Sequence, residues 1–310
     1  MKNLLIIALT AILFACTDDE PGDPGPVAAK SKPIVVTSNY PLYFFASEIA
    51  ADTIDVRFPS IDGDPAMWVP AGDDVGMLQG ADLLILNGAG YEAWLAFATL
   101  PQDRILDTTA GVKDILLPIE EATVHQHGPQ GQHSHEGTAF TTWLDPSLAI
   151  EQARAIKLGL TGLLPDQAAS FQANFAGLEQ RLLELDRSLA RAFSDLGDQP
   201  VIFSHPVYQY LQQRYGINGR NVHWEPKLEP DTGEWIDFGN LLREHSATLM
   251  IWEAPPMPAV REKLAAMGVN SVVFSPAGNL QGGIDYFAAM DQNLEQVIEF
   301  TNPLITERSN

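Results

Sequence analysis

The feature that most constrains the fold is one long amphipathic segment at residues 165–196. Its apolar side chains recur at alternating steps of four and three, and they are Phe171, Phe175, Leu178, Leu182, Leu185, Leu189, Ala192 and Leu196. This spacing predicts a continuous apolar stripe along one helix, which begins at Pro165 and ends before Gly197. At 1.5 Å per residue, such a helix is a rod on the order of 45 Å long. The stripe suits packing along two flanking halves of one chain or a coiled-coil dimer. We favour the first because it needs no partner.

Short apolar runs rich in β-branched residues lie on both sides of this segment. They are residues 34–37, 54–58 and 83–86 before it, and residues 201–203, 249–252 and 271–274 after it. Turn residues bound each run and helix-like stretches separate them, a pattern typical of βαβ units with mostly parallel, buried sheets. The sequence therefore predicts the α/β class, with two Rossmann-like βα lobes joined by one long rigid helix.

The first sixteen residues indicate export. Lys2 precedes a nearly continuous apolar run at residues 4–15, which is shorter than the ~20 residues that span a bilayer as a helix. A small residue, Ala15, stands just before Cys16, the only cysteine of the chain. The segment 13–16 resembles a bacterial lipobox, which implies that Cys16 is lipidated and becomes the mature N-terminus.

The predicted organisation has five parts. Residues 1–15 are a signal peptide, residues 16–32 a lipidated flexible tether, and residues 33–145 an N-terminal α/β lobe with a histidine-rich loop at 120–138. Residues 146–197 are connecting helices that include the long helix at 165–196, and residues 198–310 are a C-terminal α/β lobe.

The charge balance limits the partners. With 40 acidic and 18 basic side chains, the formal net charge is -22. Such a chain repels phosphate backbones and raises the local concentration of cations, so nucleic acid is excluded as a partner.

Several motifs, in order along the chain, resemble the zinc- and manganese-type substrate-binding lipoproteins of bacterial ABC importers. They are GADLLILNGAGYEAWL at residues 80–95, TTWLDP at 141–146, FSHP at 203–206 and the pair Trp252-Glu253 after a predicted strand. The resemblance covers about residues 33–300. It implies a C-clamp of two lobes with a metal ion between them, held by two groups from each lobe and passed to a membrane permease. It also implies a binding protein rather than an enzyme.

The resemblance implies four ligand positions, and only one of them carries a ligand here. The first histidine is replaced by Ala66 in the string Asp64-Pro65-Ala66, and the second by Thr141. The third is present as His205. The fourth, usually an aspartate after a late strand, is Ser275 or Pro276. A lone imidazole holds zinc weakly, because zinc sites normally have four donors. The groups that could complete a rebuilt site are Glu253, Glu225, His223 and Asp64.

Tryptophans stand near the replaced positions. Trp68 follows Ala66, and Trp143 follows Thr141. Tryptophan faces beside a carboxylate bind organic cations, so a cleft converted to a small organic cation is one alternative. Trp143 matches a residue common in the family, and we expect it to pack in the core.

Four of the seven histidines fall in the string HQHGPQGQHSH: His125, His127, His133 and His135. Clustered imidazoles bind zinc, and the resemblance implies a loop of this kind in zinc-type members, which favours zinc as the cargo. We expect a low-affinity, pH-sensitive collector of the ion. His245, outside this string, is expected at the surface.

Three functions remain open at this point. The first is a membrane-anchored extracytoplasmic receptor for a divalent metal, with zinc favoured as the bound ion. The second is a non-transport accessory or sensor protein of the same fold. The third, an enzyme using His205 with Glu225 or Glu253 as an acid–base pair, lacks any accompanying nucleophile or phosphate-loop motif.

Overall fold

The computed structural model describes residues 31–119, 124–126, 132–134, 137–279 and 283–308. The predicted signal peptide, Cys16 and nearly all of the predicted tether lie outside these residues. Within the described part, no helix is both long enough and apolar enough to cross a bilayer.

The N-terminal sheet has four parallel strands, in the order β2-β1-β3-β4. The strands are β1 (Ile34–Thr37), β2 (Asp55–Arg57), β3 (Leu83–Leu86) and β4 (Ile105–Asp107). Helix α1 (Tyr40–Ala50) connects β1 to β2, and α2 (Asp73–Gly80) precedes β3. Asn39 caps α1 by accepting a hydrogen bond from the backbone N–H of Leu42 at 3.0 Å, which explains why the helix begins directly after the strand.

A two-stranded antiparallel hairpin follows, formed by β5 (Val124–Gln126) and β6 (Gln132–Ser134). Two connecting helices come next, α3 (Pro146–Leu163) and α4 (Ala168–Leu196). The Asp145-Pro146 pair of the TTWLDP motif is the start of α3. Asp145 accepts a hydrogen bond from the Ser147 N–H at 2.8 Å, and Pro146 occupies the first turn, where no intrahelical N–H is needed.

The C-terminal sheet repeats the parallel arrangement, in the order β10-β9-β7-β8. Its strands are β7 (Val201–Phe203), β8 (Gly219–Asn221), β9 (Leu249–Trp252) and β10 (Asn270–Val273). The helices of this half are α5 (Gln209–Tyr215), α6 (Thr232–Glu244), α7 (Pro258–Ala266) and α8 (Tyr286–Arg308).

The long helix α4 packs against α1, α3 and α8. Every residue of the predicted stripe is buried, and the most accessible, Leu185, is only 5% exposed. The chain itself therefore covers the stripe, which excludes the coiled-coil dimer. The helix begins at Ala168 rather than Pro165, because Pro165–Gln167 forms a separate 3₁₀ turn.

The predicted α/β class with a long joining helix is confirmed. All six predicted strands are present, although the second shortens to Asp55–Arg57 and the last shifts to Asn270–Val273. Four strands of the structure were not predicted. Strands β5 and β6 lie in the segment predicted to be a loop, and β4 and β8 have three residues each, none of which is fully buried.

Candidate functional site

The candidate site lies at the carboxyl ends of three neighbouring strands of the C-terminal sheet. Strand β7 lies between β9 and β8. His205 follows β7, Glu253 follows β9, and His223 and Glu225 follow β8. The carboxyl ends of parallel strands lie at one edge, which is where ligands of open α/β sheets bind.

The backbone holds these segments in register beyond the strands themselves. The Trp224 N–H donates to the Ser204 carbonyl at 2.7 Å, and the Ser204 N–H donates to the Ile251 carbonyl at 2.9 Å. Trp224 is 4% exposed and packs within the apolar core of this half. Because side chains alternate along extended backbone, His223 and Glu225 project to the side opposite Trp224.

Two histidines and a carboxylate approach one another here. The Nδ1 atom of His205 lies 3.8 Å from Oε1 of Glu225. The ring centres of His205 and His223 are 5.7 Å apart, with the rings edge to face. Neutral imidazoles and carboxylates are the nitrogen and oxygen ligands that zinc takes in proteins.

Glu253 connects this cluster to the N-terminal sheet. Burial, with smaller contributions from the negative charges of Glu225 and Asp64, raises the pKa of Glu253 to about 7. Asp64 follows β2 of the other sheet, so carboxylates from both halves act on one another. We name the space between these ends of the two sheets the crevice.

The N-terminal side of the crevice contributes Asp64 and Tyr91. Asp64 as a residue is partly exposed, but burial of its carboxyl group raises its pKa. Its Oδ1 atom accepts a hydrogen bond from the Ala66 N–H at 2.9 Å, which opposes this shift. Tyr91 is 2% exposed, and its hydroxyl has no hydrogen-bond partner among the described residues. Burial raises the pKa of Tyr91, with further contributions from the Asp64 and Glu92 carboxylates.

One side chain of the C-terminal half fastens the loop before Asp64. Nδ2 of Asn279 donates to the carbonyls of Ile61, at 2.8 Å, and Gly63, at 2.6 Å. Asn279 therefore fixes the backbone that leads into the N-terminal side of the crevice.

The donors of the crevice do not form a ready-made metal cage. Among the residues that the structure describes, no three His, Cys, Asp or Glu side chains converge closely enough to hold an ion. Any ion bound here must therefore draw its ligands together.

Other residues singled out from the sequence take structural roles. Ala66 is 8% exposed and lies in the main core cluster. The Thr141 hydroxyl donates to the Val207 carbonyl, and the Ser275 hydroxyl accepts from the Ala277 N–H at 3.2 Å. None of these three offers a strong donor to an ion.

The tryptophans of the crevice region also pack into the protein. Trp143 is 2% exposed, as expected for a core residue, and its Nε1 donates to the Pro276 carbonyl at 2.6 Å. Trp68 packs edge-on against Trp94 at 5.6 Å between ring centres. The prediction that His245 lies at the surface was wrong, since this residue is only 8% exposed. It follows the last residue of α6, and its Nε2 atom lies 3.0 Å from the Val201 carbonyl.

The histidine-rich loop contains the β5–β6 hairpin. Its register places His125 opposite His133. At the base, the Ile119 N–H donates to the Gly137 carbonyl at 2.9 Å. His127 and His135 lie outside the described residues.

Glu92 was not identified from the sequence as a distinctive residue. It is 5% exposed and accepts hydrogen bonds from the backbone N–H groups of Asn87, at 2.6 Å, and Gly88, at 3.1 Å. Burial raises its pKa to about 7, although these hydrogen bonds oppose the shift. The signal that could have found it is the string Asn87-Gly88 directly after β3, where a tight turn leaves backbone donors to satisfy.

Two parallel sheets joined by a long helix, with a crevice of imidazoles and carboxylates between them, define a two-lobed binding protein. Residues 35–300 match the family model described as zinc-uptake complex component A, periplasmic. The chain belongs to this family.

Curated relatives agree with this assignment. The chain is 26% identical over 313 residues to the zinc-binding lipoprotein AdcA of Streptococcus pneumoniae R6, covering 97% of this chain and 61% of the relative. It thus spans about three-fifths of that relative's length. It is 25% identical to the high-affinity zinc uptake system protein ZnuA of Bacillus subtilis, covering 95% of each chain.

Solved structures share the fold. The metal-dependent lipoprotein YcdH of Bacillus subtilis superposes with a TM-score of 0.74 at 23% identity, covering 86% of this chain and 99% of that one. The zinc-bound ZnuA-like domain of Streptococcus pneumoniae AdcA gives a TM-score of 0.73 at 22% identity, covering 87% and 99%.

Proposed function

We propose that this protein is the extracytoplasmic substrate-binding lipoprotein of an ABC importer for a divalent metal ion, with zinc as its cargo. The observation that carries the proposal is family membership over residues 35–300. Relatives that match nearly the whole chain are named for zinc binding or zinc uptake.

The crevice supplies suitable chemistry. Imidazoles of His205 and His223 lie beside the carboxylate of Glu225, with Glu253 in the same electrostatic environment. The formal net charge of -22 raises the local concentration of cations around the whole chain.

The proposal includes a location and partners. Cys16 would carry the lipid that anchors the chain to a membrane, on the extracytoplasmic side. A membrane permease would receive the ion. His125 and His133 are paired in the backbone register of the hairpin, which supports a collecting role for the histidine-rich segment with His127 and His135.

Binding rather than catalysis is the proposed activity. The sequence has no nucleophile or phosphate-loop motif to accompany His205 with Glu225 or Glu253 as an acid–base pair. The organic-cation alternative has less support, because Trp143, Trp224 and Trp252 are at most 4% exposed and the half-buried Trp68 packs edge-on against Trp94.

Calorimetric titration of the full chain in detergent with zinc tests the proposal. We expect His205→Ala to weaken the tightest site at least tenfold, and deletion of residues 125–135 to remove only weaker binding. His245→Gln is the matched control, because this histidine lies outside the crevice and binds a backbone carbonyl.

Loss of binding on the deletion alone would instead indicate an accessory or sensor protein. Absence of zinc binding by the unaltered chain would refute the proposed function.

A further inference from the structure

We propose that the cargo ion is bound by side chains of the C-terminal sheet alone. The four ligands are His205, His223, Glu225 and Glu253. This inference rests on the proposed function and names the ligands of that same crevice. It departs from the arrangement implied by the family resemblance, in which each half supplies two groups.

The N-terminal side has lost the means to ligate. Ala66 has no donor atom, and Thr141 is 4% exposed with its hydroxyl committed to the Val207 carbonyl. Asp64 keeps a carboxylate, but one of its oxygens caps the short helix at Pro65–Met67. Asp64 is therefore expected to act through its charge rather than as a ligand.

The C-terminal side has the number and type of donors that zinc requires. Two imidazoles and two carboxylates complete a tetrahedral set. They follow three adjacent strands, whose spacing of about 4.8 Å lets neighbouring side chains reach a common ion. Two imidazoles on one tetrahedral zinc have ring centres about 5 Å apart, close to the 5.7 Å between His205 and His223.

A divalent cation suits the charge of this edge. Glu225 and Asp64 are acidic residues whose charges act on Glu253 across the crevice. A divalent cation among them replaces this repulsion with attraction. The proposed ligands all follow strands of one sheet, so the proposed set does not require the two sheets to approach.

A buried polar group on the opposite wall is consistent with an ion or its water in the crevice. The charge of the Asp64 carboxylate acts on the Tyr91 hydroxyl, which has no hydrogen-bond partner in the part of the chain that the structure describes, although the residue is only 2% exposed. A water held between the ion and Asp64 would be a suitable partner.

The test combines zinc calorimetry with X-ray absorption spectroscopy of the zinc-loaded full chain. We expect two imidazoles in the zinc shell of the unaltered protein, one in His223→Gln, and a tenfold or larger rise in Kd for each of His223→Gln, Glu225→Gln and Glu253→Gln. Glu229→Gln is the matched control, since Glu229 is exposed on the same segment as Glu225. Asp64→Asn should raise Kd less than threefold.

The outcomes separate this inference from the proposed function. If the protein binds zinc but its shell contains fewer than two imidazoles, the ligand set is wrong and the proposed function stands. The same holds if all three variants keep the original Kd. The number of imidazoles is measured on the unaltered protein, so the test still gives a result if a variant fails to fold. If the unaltered chain binds no zinc, the proposed function fails, and the ligand set fails with it.

Discussion

The two sheets have the same plan but opposite uses for their carboxyl ends. Each has four parallel strands with the first strand of the half in an inner position. At the N-terminal edge, the polar groups of Asn87, Glu92 and Thr141 are engaged in hydrogen bonds within the protein. At the C-terminal edge, imidazoles and carboxylates gather around a crevice. Polar residues at a sheet edge are available to a ligand only where the fold does not already use them.

Two glutamates illustrate this difference. Both Glu92 and Glu253 have their pKa raised to about 7, chiefly by burial. Backbone N–H groups oppose the shift at Glu92, whereas the like charges of Glu225 and Asp64 add to it at Glu253. The first glutamate is part of the fold, and the second faces the crevice.

The largest expected effect comes from Trp143 on the N-terminal side. Trp143→Ala removes a buried indole that packs edge-on against Tyr91 and donates a hydrogen bond from Nε1 to the Pro276 carbonyl. We expect the free energy of unfolding to fall by about 3–5 kcal/mol in urea titrations. His205→Ala, its crevice counterpart, should change unfolding by under about 1 kcal/mol while weakening zinc binding. If His205→Ala lowered the unfolding free energy more than Trp143→Ala did, the contrast between a structural N-terminal side and a binding C-terminal side would be wrong.

The pH dependence of stability should come next in size. The folded state holds the protons of Glu92 and Glu253 up to about pH 7, whereas the reference pKa is 4.5. The free energy of unfolding should therefore fall as pH rises from about 4.5 through 7, by up to about 3 kcal/mol for Glu92, and then level off. Urea unfolding of the zinc-free chain at pH 4.5 to 8 measures this.

Glu253→Gln provides the control for that experiment. It removes the contribution of Glu253 to the change of unfolding free energy with pH and leaves the contribution of Glu92 in place. An identical slope in the variant and the unaltered chain would show that Glu253 is not desolvated in the crevice.

Glu92→Gln should have a smaller effect on stability. The amide cannot accept from both the Asn87 and Gly88 N–H groups, so one buried donor loses its partner. We expect a loss of about 1–3 kcal/mol in unfolding free energy and an unchanged Kd for zinc. Glu229→Gln should stay within about 0.5 kcal/mol of the unaltered chain. A weakened zinc site in Glu92→Gln would mean that the N-terminal edge takes part in binding.

The smallest expected effect concerns the link between the halves. Asn279→Ala removes two hydrogen bonds to the carbonyls of Ile61 and Gly63. We expect a loss of about 1–2 kcal/mol and faster amide hydrogen exchange in residues 61–67. Asn270→Ala serves as the control, because its side chain makes a single exposed hydrogen bond. Unchanged amide exchange in residues 61–67 would show that the loop before Asp64 keeps its conformation without the hydrogen bonds from Asn279.

Sequence patterns predicted most of the architecture because burial of apolar residues has a regular period. The alternation of four and three identified the whole buried stripe of α4, and β-branched runs identified six strands. Strands β4 and β8 were not predicted, because three residues without full burial form too short a hydrophobic pattern. His245 was misplaced because the carbonyl of Val201, which its ring contacts, lies 44 positions away in the chain.

The chain by itself determined that it would form parallel sheets around one long helix, and the motif resemblance implied that Ala66 and Thr141 stand where the family has histidines. Those features are local in composition and period. Only the tertiary structure decided that His205, His223, Glu225 and Glu253 meet at one edge, while Thr141 and Glu92 are used by the fold. The reason is that this edge is assembled from strands far apart in the chain, whose order β9-β7-β8 no local pattern records.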